Sequence, residues 1–201
     1  HALPADARVM LLRDAIGVAA FPQMSAARAR SVLSGGHHRP LCVLVEDDFA
    51  KLLLTEMVRT VDSTFLRCID IHGVGDTKAV RTGALFMQRI GRAYAAVRDP
   101  DIGPEPAIGL FAFPGAQPPE REVYESSAVR QALRDSFGLD VPNVLAQRGV
   151  TDHHEFTKVI AEEASAMHGY LATFAVRAYL GGIGPAAYLP LVQAIQARLP
   201  H

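Results

Sequence analysis

The sequence predicts an α/β protein: a parallel sheet of about four strands with helices on both faces, plus a helical appendage. Three observations predict it. Between residues 41 and 113, short apolar runs of strand type alternate with stretches of helical period, the pattern of a parallel sheet covered on both sides. Two of those runs end in carboxylates, Leu41–Val45 in Glu46-Asp47-Asp48 and Ala93–Val97 in Arg98-Asp99-Pro100-Asp101. Beyond Pro114-Gly115-Ala116-Gln117-Pro118-Pro119 the strand pattern stops and only helical periodicity continues.

Taken in order, residues 1–40 read as a helical lead-in. Apolar residues recur at helical spacing from Ala5 to Ile16, and Ser25 is placed to cap a second helix, Ala26–Leu33. Leu41–Val45 is the first strand and Phe49–Val58 the first helix of the sheet region. Phe65–Ile71 is the second strand, closed by the turn Gly73-Val74-Gly75. Thr77–Ile90 is helical and ends on Gly91, a suitable C′ residue. Ala93–Val97 and Ala107–Phe113 are the third and fourth strands. Glu120–Phe137, Asp152–His168, Tyr170–Leu180 and Ala186–Leu199 are helices. The expected division is a lead-in over 1–40, a metal-binding α/β domain over 41–137 and a helical domain over 138–201.

Composition narrows the class. The chain of 201 residues is 49% hydrophobic and 20% charged, ordinary for a soluble globular protein. Its formal net charge of −1 supplies no global basic field, so any nucleic-acid contact must come from local patches. Cys42 and Cys68 lie in apolar runs and read as buried thiols of a reducing compartment. No apolar run reaches the roughly 18 residues of a membrane span, so the expectation is a cytoplasmic protein without a membrane partner. The paired His37-His38 reads as an exposed loop.

The chemistry concentrates at strand ends. Parallel strands bring their carboxyl ends to one edge, where open α/β sheets bind ligands. Glu46 is the last residue of the first strand. Asp47 and Asp48 open a helix, where one of them can serve as the N-cap; Asp48 is the better candidate for that role. In an extended Asp99-Pro100-Asp101, both carboxylates would face one cation. Anions crowded together need a cation, and oxygen donors suit Mg²⁺ or Mn²⁺. Gly73 and Gly75 lie on the same rim and would let backbone approach a substrate. No G-x-x-x-x-G-K-[ST] occurs, which removes the P-loop mode of ATP binding. Lys158, the only lysine of the C-terminal half, is a candidate for stabilising a scissile phosphate. His154, four residues earlier, would share its helix face as a phosphate contact or proton carrier. Arg98 is a further candidate phosphate contact, although strand alternation points it away from Asp99.

Strand-Glu46, the Gly73 turn and strand-Asp99-x-Asp101 resemble the Toprim domain over roughly residues 41–115. That makes the expected sheet Toprim-like, a Rossmann-like arrangement. Within the group, the chain is most similar to the C-terminal nuclease region of class 2 OLD (overcoming lysogenisation defect) proteins. The matching features are Val45-Glu46-Asp47 with Ala50 four residues after the glutamate, the Pro114-Gly115 turn with Pro119-Glu120 beyond it, and the helical segment carrying Asp152-His153-His154. Asp47 and Pro100 stand where many Toprim proteins have glycine, a departure that disfavours a topoisomerase or primase.

The resemblance implies a divalent-metal-dependent endonuclease that nicks and cleaves DNA with two ions. It implies Glu46, Asp99 and Asp101 as core ligands, with Asp47 and Glu120 as candidates for the second ion. It also implies an N-terminal ABC-type ATPase domain on the same polypeptide, outside these residues. Two other readings compete. One is a Toprim-type nucleic-acid-binding or RNA-processing module with little cleavage. The other is a receiver-like phosphoryl-transfer domain, which would need a phospho-acceptor after the third strand and a lysine after a fifth. The apolar helices with Tyr170, Leu171, Phe174, Tyr179 and Leu180 could form a core or the face of a homodimer.

Overall fold

The computed structural model describes residues 9–13, 17–21 and 39–200. The first two segments are strands β1 (Val9–Arg13) and β2 (Gly17–Phe21), paired antiparallel with Val9 opposite Phe21 and Arg13 opposite Gly17. This corrects the helix expected over Ala5–Ile16. A short apolar run such as Val9-Met10-Leu11-Leu12 fits either period, and here pairing with a second segment decides. The helix expected over Ala26–Leu33 and the His37-His38 pair lie outside the described residues.

The main sheet has four parallel strands: β3 (Leu41–Val45), β4 (Ile69–Gly73), β5 (Tyr94–Arg98) and β6 (Leu110–Ala112), in the order β4-β3-β5-β6. The expected α/β class holds. The chain leaves β3 towards β4 on one side and returns to β5 on the other. The crevice at the carboxyl ends of β3 and β5 is therefore the switch point of the sheet.

Side-chain alternation explains why both faces are covered. Leu41, Val43, Val45, Ala95 and Val97 point to one face and pack with Leu53, Leu54, Met57 and Val58 of α1 (Asp48–Asp62). Cys42, Leu44, Tyr94 and Ala96 point to the other face and meet Val80 and Ala84 of α2 (Thr77–Arg89). A Cβ on Gly83 would lie 2.8 Å from Leu44 Cδ1, so this glycine lets α2 rest directly on β3. Each fully buried Leu or Val stabilises this arrangement by about 1.5–3 kcal/mol relative to exposure.

The second strand begins later than expected. Phe65–Arg67 is a 3₁₀ turn, because Asp62 Oδ1 accepts the backbone N–H groups of Thr64 and Phe65 at 3.1 and 3.2 Å. Cys68 precedes β4, and both cysteines are buried.

Helices α3 (Pro119–Glu125), α4 (Ser127–Phe137), α5 (Val141–Gln147), α6 (Phe156–Glu163), α7 (His168–Ile183) and α8 (Leu189–Gln196) complete the chain. The single helix expected over Glu120–Phe137 breaks at Ser126, whose backbone is extended and whose Oγ accepts Val129 N–H at 3.3 Å. The unanticipated α5 is capped by Asp140 and carries Pro142 in its first turn. Val123, Tyr124, Leu133, Phe156, Ile160, Leu171, Val176 and Ile195 belong to the same apolar cluster as Leu53 and Met57. The boundary expected at residue 138 is thus no break in the core. Leu171, Tyr179 and Leu180 are core residues, whereas Tyr170 stays 60% exposed.

Candidate functional site

The carboxyl end of β3 is stitched to both neighbouring strands. Glu46 Oε1 accepts the Thr77 hydroxyl at 2.8 Å and the backbone N–H of Asp99 at 3.0 Å. One carboxylate therefore joins the ends of β3 and β5 to the start of α2. Asp47, not Asp48, is the cap of α1: its Oδ1 accepts Ala50 N–H at 2.8 Å, and Asp48 is exposed in the first turn. The other oxygen, Asp47 Oδ2, lies 3.8 Å from His154 Nδ1.

The glycine turn serves the backbone of the acids. Val74 and Gly75 donate to the carbonyls of Val45 and Glu46 at 2.9 and 2.8 Å. A Cβ on Gly73 would stand 3.3 Å from the Asp47 carbonyl carbon, and Gly75 has φ +115°. Gly73 and Gly75, expected to face substrate, are explained by this close approach to Asp47 and by the turn itself.

The carboxyl end of β5 departs from the extended Asp-x-Asp expectation. The strand stops at Arg98, Asp99 is extended, and Pro100–Ile102 winds into a 3₁₀ turn that leaves Asp101 exposed. Proline favours that winding at the first position of a turn. Arg98 is 4% exposed, with Nε donating to Gly103 O at 2.6 Å and a terminal nitrogen 3.2 Å from Glu105. Its guanidinium anchors the loop that carries Asp99 and Asp101, so the phosphate-contact role expected for Arg98 gives way to a positioning one. The Asp99 carboxyl is pushed up to about 7, first by burial and then by the charges of Glu46, Glu120, Asp101 and Asp47.

Glu120 arrives from the loop after β6. Gly115, at φ +118°, leaves room for Glu122, whose Oε1 accepts the N–H groups of Ala116 and Gln117 at 2.7 and 3.0 Å. The loop fixed in this way delivers the first turn of α3, where Glu120 is 5% exposed. Its Oε1 lies 3.2 Å from His154 Nδ1. Burial raises the Glu120 pKa, as does the charge of Asp47. Desolvation pulls His154 down, but Glu120, Asp152 and Asp47 outweigh it, and the imidazole's pKa ends above its ordinary value. His153 stacks on His154 with ring centroids 4.1 Å apart, and burial and the neighbouring ring lower its pKa.

Among the described residues, the side chains that bring metal-ligating atoms within 4.8 Å of one another are Glu120, His153 and His154. The expected trio of Glu46, Asp99 and Asp101 shares a rim but does not close to that distance. His153 was not anticipated as a ligand. The Asp152-His153-His154 run flagged the segment, but its link to Glu120 spans 34 residues and no local spacing encodes it. Lys158 is exposed in the first turn of α6. His154 sits in the preceding 3₁₀ turn, His153–Glu155, so the two do not share one continuous α-helical face.

The donor set still fits a hard cation. Among the described residues, no ion pair joins Glu46, Asp99 or Asp101 to a lysine or arginine. Carboxylates left unneutralised at the switch point of a sheet are the oxygen-rich environment that Mg²⁺ or Mn²⁺ takes. No family model, curated protein or solved structure matches this chain.

Proposed function

We propose that this chain is the catalytic part of a divalent-metal-dependent endonuclease that nicks and cleaves DNA. The observation that carries the reading is the junction at the switch point of the sheet, where Glu46 Oε1 accepts the Asp99 N–H at 3.0 Å and so holds the two acidic strand ends side by side. Burial, and after it the charges of the neighbouring carboxylates, push the Asp99 carboxyl up to about 7, and a bound cation would favour its charged form. Glu46, Asp99 and Asp101 would hold one Mg²⁺ or Mn²⁺, with Asp47 and Glu120 reaching a second. Such ions neutralise charge on the attacking and leaving oxygens of a phosphodiester.

The chain's own residues would do the rest. Glu46 fixes the backbone of Asp99 and thereby the spacing between the two acidic strand ends. Arg98 holds the Asp99–Glu105 loop from beneath. His154, placed between Glu120 and Asp47, is a store for a proton that a departing oxygen could take. Lys158 supplies an exposed positive charge for the DNA backbone near that histidine. An ABC-type ATPase domain is the partner this reading expects elsewhere on the polypeptide.

The experiment is cleavage of supercoiled plasmid, with single-stranded and structured RNA run alongside. Cutting of plasmid with Mg²⁺ or Mn²⁺, its loss in EDTA and its loss in a folded Glu46→Ala variant support the proposal. Cleavage confined to RNA would move the chain to the RNA-processing reading. Phosphate transfer from a small phosphodonor to an aspartate would favour the receiver-like one.

A further inference from the structure

The Glu120–His153–His154 cluster has a chemistry that the carboxylate rim does not share. Its ligand-bearing atoms lie within 4.8 Å of one another, and one edge, His154 Nδ1 to Glu120 Oε1, is already 3.2 Å. Around a tetrahedral cation with bonds of 2.0–2.2 Å, ligand atoms stand about 3.4 Å apart. Small side-chain rotations of the two histidines would therefore close the set.

Each ligand is also held in place. Glu120 is 5% exposed and fixed by the first turn of α3, so its carboxylate meets the histidines from a rigid base. The side chain of Asp152 caps the His153–Glu155 turn, accepting His154 N–H at 3.1 Å, which fixes the backbone that presents both imidazoles. Asp47 has one oxygen bound to Ala50 N–H and the other 3.8 Å from His154 Nδ1, placed to orient that ring or to close a fourth position. His154 is 60% exposed, which leaves an entry path from solvent.

We propose that Glu120, His153 and His154 form a binding site for a transition-metal cation of the Zn²⁺ and Co²⁺ class. Two imidazole nitrogens and one carboxylate oxygen are a donor set for such ions, whereas Mg²⁺ prefers oxygen alone. The site shares Glu120 and Asp47 with the proposed nuclease centre, but it does not require the chain to cut DNA.

The test is a Co²⁺ titration of the chelator-stripped protein, read by visible absorption and by bound metal per chain. Zn²⁺ should displace the Co²⁺ signal and excess Mg²⁺ should not. His153→Gln and His154→Gln should each weaken Co²⁺ binding roughly tenfold or more, with circular dichroism showing that both variants fold. Glu46→Gln and Asp99→Asn should retain the signal. Absence of a Co²⁺ signal overturns the proposal, and so does affinity unchanged in either histidine variant. A signal lost in Asp99→Asn and kept in the histidine variants overturns it too. Plasmid cleavage with Mg²⁺, measured separately, keeps the two claims apart. No cleavage with Co²⁺ binding intact would sink the nuclease reading alone. Cleavage with Co²⁺ affinity unchanged in the histidine variants would sink the imidazole site alone.

Discussion

The backbone N–H of Asp99 donates to Glu46 Oε1 over 3.0 Å, so the two acidic strand ends are joined by one carboxylate oxygen. The same oxygen accepts the Thr77 hydroxyl at 2.8 Å. Glu46 is thus a structural crosslink as well as a candidate ligand, and both roles depend on where β3, β5 and α2 meet.

Thr77→Val should loosen that junction. The substitution removes one donor to a half-buried carboxylate while keeping the side-chain volume. We expect a loss of about 1 kcal/mol, measured by urea denaturation, together with weaker Mn²⁺ binding. Unchanged stability and metal affinity would show that the Asp99 N–H holds Glu46 unaided.

Asp99 should make the metal-free protein less stable as pH rises. Its folded-state carboxyl is pushed up to about 7 from an ordinary value of 3.8, so between those values the folded chain binds a proton that the unfolded chain does not. Stability therefore falls as pH rises through this window and levels off above it. In EDTA at about pH 8, Asp99→Asn should be the more stable protein by roughly 1 kcal/mol once solvent screening is allowed for. The advantage should vanish near pH 4. Thermal melts of both proteins across the range would read it, and a constant difference would contradict the assignment.

Arg98→Ala should unfasten the loop carrying Asp99 and Asp101. It removes a 2.6 Å bond to Gly103 O and leaves Glu105 to Arg81 alone. We expect a loss of about 2 kcal/mol, measured by chemical denaturation. Arg98→Lys should recover only part of it, because an ammonium cannot span both partners.

These junctions mark what the sequence makes legible. Apolar runs ending in Glu46 and Asp99 announced a parallel sheet and the edge where its acidic strand ends meet, because alternation and strand-end position are local properties. The capping residues were equally local: Ser126 and Asp140 carry the signals for the break before α4 and for α5, although neither boundary was anticipated. The β1–β2 pairing and the meeting of Glu120 with His153 and His154 were not legible. Each depends on segments that only the folded chain brings together. The 3₁₀ winding after Asp99 shows the same limit, since proline permits both an extended segment and a turn.

Lys158→Ala should slow cleavage while leaving metal binding nearly intact. The side chain is exposed in the first turn of α6, after the 3₁₀ turn that presents His154. A rate reduced roughly tenfold or more at saturating Mg²⁺ would place its charge on the phosphate. Turnover equal to wild type would return it to the solvated surface.

The central claim is that Asp99 belongs to a working metal centre. The direct measurement is supercoiled plasmid cleavage by wild-type protein and by folded Asp99→Asn, each with Mg²⁺ or Mn²⁺. The account predicts nicked and linear DNA from wild type and a rate at least roughly a hundredfold lower from the variant. Intact plasmid with wild-type protein, or equal cutting by Asp99→Asn, would contradict it.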